Sequence, residues 1–294
     1  MSEEAPEAAA LPAETAIGRV SIRVDDLERV VPFYREAIGC QVERDGRTAR
    51  LSADDGRELL TFEEPPGAPG RPRSAAGLFH VAIRLSDRAS LADALDRLRD
   101  AGATLSGASD HLVSEALYLT DPAGNGLELY HDRPRESWTR LDGGRVEMDT
   151  LSLDVDDLAA AGDGTAREAL PAGTDVGHVH LEVTDLGASG DFYGDGIGFA
   201  TTSQYVRGAR FLAAGGYHHH VGLNVWNRRS ESVGDHQGLS RFEVVLPDAD
   251  SRRVVLERLE TRGHEVDRND DVPWAADPDG IRVAFPVRAS RDED

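Results

Sequence analysis

GRVSIRVDDLERVVPFYREAIG, residues Gly18–Gly39, lies without a gap over GHVHLEVTDLGASGDFYGDGIG, residues Gly177–Gly198. Gly, Val, Val, Asp-Leu, Phe-Tyr, Ile and Gly recur at the same offsets, which marks an internal duplication. A weaker pair follows. Phe79–Gly102 and Ser240–Gly263 share the Leu-x-Asp end of a strand, a Leu-x-Arg-Leu helix face and a closing glycine. The chain therefore holds four related units. Val20, Ile22 and Val24 alternate with polar residues as a strand with one buried face. Asp25 or Asp26 then offers an N-cap, and Leu27, Val30, Val31 and Tyr34 recur at helical spacing before Gly39 ends the helix.

Short strands with Gly-rich turns come next, at 41–45, 48–53 and 57–63 in the first unit and 104–106, 115–120 and 126–131 in the second. Each unit is thus βαβββ. The chain divides into an acidic, disordered N-terminus (1–16), units at 17–64, 78–132, 176–227 and 238–287, an acidic connection (133–175) and a tail (288–294). Pro65–Pro72 reads as a Pro/Gly linker, and short helices are expected in the connection at Val155–Ala161 and Ala166–Leu170.

Composition narrows the function. The 294 residues carry 54 Asp+Glu against 32 Lys+Arg, a net charge of −22, and every base is an arginine. Such a surface repels phosphates and anionic lipid, so neither nucleic acid nor membrane is an expected partner. The composition resembles that of proteins from salt-loving organisms, where molar salt screens self-repulsion; an acidic protein from a GC-rich genome is the alternative. No apolar run approaches a membrane span, and the N-terminus lacks the basic and apolar regions of a signal peptide, so a cytoplasmic location is expected. Cys40, the one cysteine, reads as a buried bystander. No Walker loop, dinucleotide fingerprint or C-x-x-C is present.

Four βαβββ units with a Gly-His-Val-x-Leu leading strand, an Asp-Leu to Phe-Tyr helix and an Asp-Pro-x-Gly-Asn-Gly-x-Glu-Leu-Tyr closing strand resemble the vicinal oxygen chelate superfamily. That superfamily includes glyoxalase I, bleomycin and fosfomycin resistance proteins and extradiol dioxygenases. SDHLVSEALYLTDPAGNGLELYHDRPRESW and FLAAGGYHHHVGLNVW are similar to four-module bacterial catechol 2,3-dioxygenase-like proteins. The resemblance runs from about Ile17 to Val287. It implies an α+β fold in which modules pair into two cup-shaped barrels, with metal ligands on the leading and closing strands.

Within that frame the second unit offers His80 and Glu128, and the third offers His178. The first has Arg19 where the third has His178, and the fourth has Arg241 and Ala284 where the second has His80 and Glu128. A guanidinium is not a usable ligand. Units two and three therefore should form the working cup, with units one and four as a metal-free companion. Two imidazoles and a carboxylate form the facial set of non-haem Fe(II) oxygenases, and Mn(II) fits the same set.

The resemblance also implies supporting roles. Tyr118, ten residues before Glu128, and His111 before it would bond the bound oxygens. The acid/base histidine would lie in His218-His219-His220; strand alternation turns His218 and His220 into the cup and His219 away, with His220 nearest the metal, and a one-residue slip exchanges the two faces. His180 shares the face of His178, and Asn224, Trp226 and Tyr205 are expected wall residues.

The expected reaction is Fe(II)-dependent extradiol cleavage of a catechol by O2. A glyoxalase-like isomerase or lyase using Ni or Zn is the first alternative, although it wants carboxylates on both closing strands. A metal-free protein that sequesters an aromatic drug is the second. Homodimerisation is a further expectation, as superfamily members often dimerise.

Overall fold

The computed structural model describes residues 10–162, 168–206 and 208–288. The first unit comprises Ala16–Arg23 (β1), Leu27–Phe33 (α1), Gln41–Asp45 (β2), Thr48–Ser52 (β3) and Glu58–Glu63 (β4). The second comprises Gly77–Leu85 (β5), Arg88–Asp100 (α2), Leu105–Asp110 (β6), Ser114–Thr120 (β7) and Gly126–Asp132 (β8). A connection with Leu151–Ser152 (β9) and Val155–Ala159 (α3) leads to the third unit: Asp175–Glu182 (β10), Leu186–Asp191 (α4), Ala200–Tyr205 (β11), Ala209–Ala213 (β12) and Val221–Asn224 (β13). The fourth has Gly238–Val245 (β14), Ala249–Thr261 (α5), Val266–Asp267 (β15), Trp274–Ala276 (β16) and Arg282–Ala284 (β17).

The duplicated segments form the same local structure for the same reasons. Asp26 and Asp185 cap their helices, each accepting from two backbone amides of the first turn. Both helices then widen into a π-turn, at Tyr34–Ile38 and Phe192–Ile197, which ends at a left-handed glycine, Gly39 (φ 86°) or Gly198 (φ 112°). The apolar stripe that suggested one uninterrupted helix is preserved across the widened turn, with Tyr34 and Tyr193 wholly buried.

Two curled sheets result. One has the order β15-β16-β17-β14-β1-β4-β3-β2 and joins the fourth unit to the first; the other, β11-β12-β13-β10-β5-β8-β7-β6-β9, joins the third to the second. Each is closed at its centre by an antiparallel pair of leading strands, β1 with β14 and β10 with β5. Within a unit the leading strand runs parallel to its closing strand. The helices cover the outer faces, where Val20, Ile22, Leu27, Val81, Ile83 and Leu95 belong to one continuous core. This is the α+β arrangement of paired half-barrels that the resemblance implies.

Some expectations change. Residues 1–9 lie outside the described residues, but Leu11, expected to be disordered, is buried and donates its amide to Gly198 O at 3.2 Å. An apolar side chain followed by proline gives this segment a reason to dock that its acidic neighbours conceal. Of the helix expected at 166–170, Ala166 and Arg167 lie outside the described residues, and 168–170 are not helical. The connection is more than a linker. Trp138 and Val146 build a small core with Val113, Ala213 and Tyr217, and β9 adds a strand at the edge of the second sheet. Cys40 is buried, which pushes its thiol up to about 12. Among the described residues no helix is long and apolar enough to cross a membrane.

Candidate metal centre

The centre of the second sheet sets the site. His80 on β5 stands directly opposite His180 on β10, and His178 opposite Ala82, in a ladder interrupted by two bulges. Glu128 on β8 pairs in parallel register with Ala82 and opposes Tyr118 on β7. These registers bring His80, Glu128 and His178 together so that one ligand atom from each lies within 4.8 Å of the others. Among the described residues they form the one group of at least three His, Cys, Asp or Glu side chains so arranged. Glu128 Oε2 is 2.9 Å from His80 Nε2 and 3.2 Å from His178 Nε2.

The donor set fits a divalent ion. Cis ligands at about 2.1 Å from a six-coordinate ion stand about 3 Å apart, the spacing seen between the carboxylate and each imidazole. His80 Nε2 is buried yet makes no hydrogen bond, lying beside the carboxylate outside bonding geometry. Burial opposes charge on Glu128, yet His178 and His80 hold its carboxyl well below the usual range. Burial lowers His178 to about 4 against the pull of Glu128. At neutral pH these two groups therefore present lone pairs, the state in which they ligate.

The three residues line a cavity of about 870 Å³. Tyr118 and His111 also line it, joined by a hydrogen bond of 2.6 Å between Oη and Nε2. The Asp149 carbonyl, 2.7 Å from His111 Nδ1, can only accept, so Nδ1 carries a proton and Nε2 of the neutral ring accepts from Tyr118. Burial, with Glu128 alongside, pushes the Tyr118 hydroxyl well up, keeping it protonated. On the other side His180 packs against Phe79, Phe211 and Trp226. Trp226 and Tyr205 reach the cavity as expected wall residues. Asn224 does not. It is wholly buried behind His180, donating Nδ2–H to His180 Nε2 at 3.1 Å and accepting from the Trp226 amide at 3.1 Å. Asn224 thus holds two wall residues instead of being one.

The three consecutive histidines require a correction. His219 lines the cavity, its ring centroid 4.0 Å from that of His178. His220 faces away: it packs on Phe199 and Tyr217, and its Nδ1 accepts from Ala214 N at 3.2 Å. Burial lowers His220 to about 3, so it stays neutral. His218 is wholly buried on the far side, with Nε2 2.9 Å from Asp132 Oδ1. The alternation of β13 starts only at Val221; before it the chain leaves a turn at Gly215 and Gly216, both at positive φ, and counting in twos fails there. The repeat contains a better signal. Val221 stands beside Val179 as Leu60 stands beside Val20, which aligns His219 with Glu58, the partner of Arg19 at 2.7 Å.

Sequence reading also missed the far end of the cavity, where Glu182 accepts from Arg71 at 2.6 Å and from Arg229 at 2.8 Å. It missed the wall built by the acidic connection as well: Met148 and Thr150 line the cavity, and the Met148 carbonyl accepts from Tyr205 Oη at 2.7 Å.

Paired βαβββ half-barrels with a three-residue donor set in one of them define the class. The glyoxalase/bleomycin resistance protein/dioxygenase superfamily model matches residues 16–129. A catechol-2,3-dioxygenase of Bacillus subtilis is 40% identical over 280 residues, covering 93% of this chain and 98% of that protein. The chain belongs to this superfamily. Biphenyl-2,3-diol 1,2-dioxygenase 3 of Rhodococcus globerulus is 28% identical over 146 residues, 48% of this chain and 77% of that one. Among solved structures, glyoxalase I from Zea mays superposes with a TM-score of 0.55 at 16% identity, covering 92% of each chain, a likeness of fold.

Proposed function

We propose that this protein is an Fe(II)-dependent extradiol dioxygenase that opens a catechol-type ring with O2, Mn(II) being the other ion the same donors suit. The observation that carries the reading is the convergence of His80, Glu128 and His178 at the floor of a cavity large enough for a small aromatic diol. Similarity to a catechol-2,3-dioxygenase over nearly the whole chain supports a dioxygenase. When bound, the ion supplies a path for electrons between diol and O2 that side chains lack.

The remaining roles belong to the chain. His80, Glu128 and His178 hold the ion on one side and leave the cavity side open. His219, beside His178, takes the diol proton and later returns it; it replaces His220 and His218 in that role. Tyr118, whose one hydroxyl proton goes to His111, turns the lone pairs of its oxygen to the cavity beside the centre and accepts there from a protonated oxygen of the diol. Phe79, His180 and Trp226 form an aromatic wall for the ring. The isomerase alternative needs a second carboxylate on the third unit's closing strand, whereas the third unit offers His219, just ahead of that strand.

The test is to load the protein anaerobically with Fe(II), then add catechol and air. Consumption of one O2 per diol with appearance of a coloured ring-opened product is expected. A metal-loaded protein that consumes no O2 with catechol or alkyl catechols would overturn the reading.

A further inference from the structure

We infer that Asp132 and His218, which stand outside the cavity, fix the tautomer of His219 and so present a bare Nε2 to whatever the cavity holds. The inference starts from a chain of hydrogen bonds that no metal ligand enters. His218 Nε2 lies 2.9 Å from Asp132 Oδ1, and His218 Nδ1 lies 2.7 Å from His219 Nδ1. Asp132 ends β8, beyond Glu128, whereas the histidines precede β13, so the chain ties the second unit to the third.

Each bond dictates the next. Burial raises the carboxyl of Asp132, but His218, Arg84 and Tyr217 outweigh it and hold the group below its usual range. Arg84 Nη1 reaches the carboxylate at 3.2 Å and Tyr217 Oη donates at 3.0 Å. A carboxylate only accepts, so His218 Nε2 carries a proton. In the relay we infer, His218 has this one ring proton, so it accepts at Nδ1 and the donor there is His219 Nδ1–H. A neutral His219 is then left with a lone pair on Nε2, the nitrogen that has no protein partner among the described residues, in a residue that lines the cavity.

The rest of the network secures this order. Tyr130 Oη lies 2.8 Å from Tyr217 Oη, and a Cβ on Gly177 would sit 1.7 Å from Tyr130 Oη. The glycine before His178 therefore leaves room for the hydroxyl that backs Asp132. For the reading given above, on which the role of this device rests, a bare Nε2 is what a base needs: it can take a diol proton without first losing its own. Asp132 and His218 are positioning residues, since neither touches the reacting atoms.

Nitrogen–proton correlation spectra of histidine-labelled, metal-free full-length protein test this directly, with the His219 signals identified by their loss in His219→Phe. The expected result is a proton on Nδ1 and none on Nε2. Asp132→Asn can donate to His218 Nε2 and reverse the chain, which should move the His219 proton to Nε2. In the iron-loaded enzyme that variant should lower kcat roughly 10–100-fold, the usual cost of an outer partner, with KM unchanged. A wild-type ring protonated at Nε2, or an Asp132→Asn protein with the wild-type tautomer, would overturn the inference. Should Asp132→Asn not fold, His218→Phe removes the acceptor and keeps Asp132; the His219 proton should then be shared between both nitrogens, and one still confined to Nδ1 would count against us. Correct tautomers without O2 uptake would sink the dioxygenase reading and leave the relay standing.

Discussion

The two half-barrels are built on one plan and filled differently. Register makes the comparison residue by residue: Ala82 pairs with Glu128 in one as Glu243 pairs with Ala284 in the other, and His178 holds the place of Arg19. In one half, two imidazoles and a carboxylate meet over an open cavity. In its companion, Arg19 reaches Glu243 at 2.9 Å and Glu58 at 2.7 Å, so the same ground is covered by an ion pair. The scaffold therefore does not depend on metal-ligand side chains for its shape. What differs is whether the floor presents lone pairs or charges that already satisfy each other.

The sharpest way to break this comparison is Glu128→Gln. Metal content should fall from one ion per chain to none and turnover to the detection limit, while circular dichroism stays that of the folded protein; retained metal would show that Glu128 is not what sets this half apart from its companion. Next in size is the contrast between neighbouring histidines. His219→Asn should reduce kcat by roughly 10²–10⁴-fold, the span of general acid–base catalysis, whereas His220→Gln should leave kcat unchanged in the same steady-state assay. Equal losses in both variants would undo the assignment.

How much of this was legible beforehand varied with the physics involved. The strands and helices were readable because duplication fixes their period; the pairing of modules and the strands that carry ligands came with the resemblance to the superfamily, and the repeats then exposed which copies have ligand-type side chains there and which lack them. Elements at 41–45 and 126–132 emerged close to their expected limits. The histidine run was misread because facing was counted back along β13 into a segment that is not a strand. Comparing His219 with Glu58 would have needed the closing strands of units one and three aligned, where the only shared chemistry is apolar alternation. Asp132 was invisible for a different reason: its importance comes from a hydrogen-bond partner 86 positions away. The cavity wall in the acidic connection has no repeat to betray it.

A smaller effect separates the halves by pH. Burial holds His220 near 3, so between its ordinary 6.5 and that value the unfolded chain binds a proton that the folded chain refuses. Stability therefore falls as pH drops below about 6.5, by about 1.4 kcal/mol per unit from this residue, and is unaffected by it above that range. His220→Gln should flatten the acid limb of the urea-midpoint profile. An unchanged slope would mean that His220 titrates normally.

The smallest expected effect tests the companion half itself. Arg19 keeps 28% of its side chain exposed and Glu243 15%, so solvent screens the pair and Arg19→Met should cost only about 1 kcal/mol. The loss is bounded on the other side because the Arg19 amide still donates to Glu243 Oε2 at 3.0 Å, leaving that carboxylate partly satisfied. Urea unfolding measures the cost, and metal titration of the same variant should still saturate at one ion, since removing a guanidinium uncovers two carboxylates but supplies no imidazole. A loss of several kcal/mol would mean that the ion pair closes the companion barrel as structurally as a metal closes a zinc finger, and the two halves would then differ in what stabilises them as well as in what they bind.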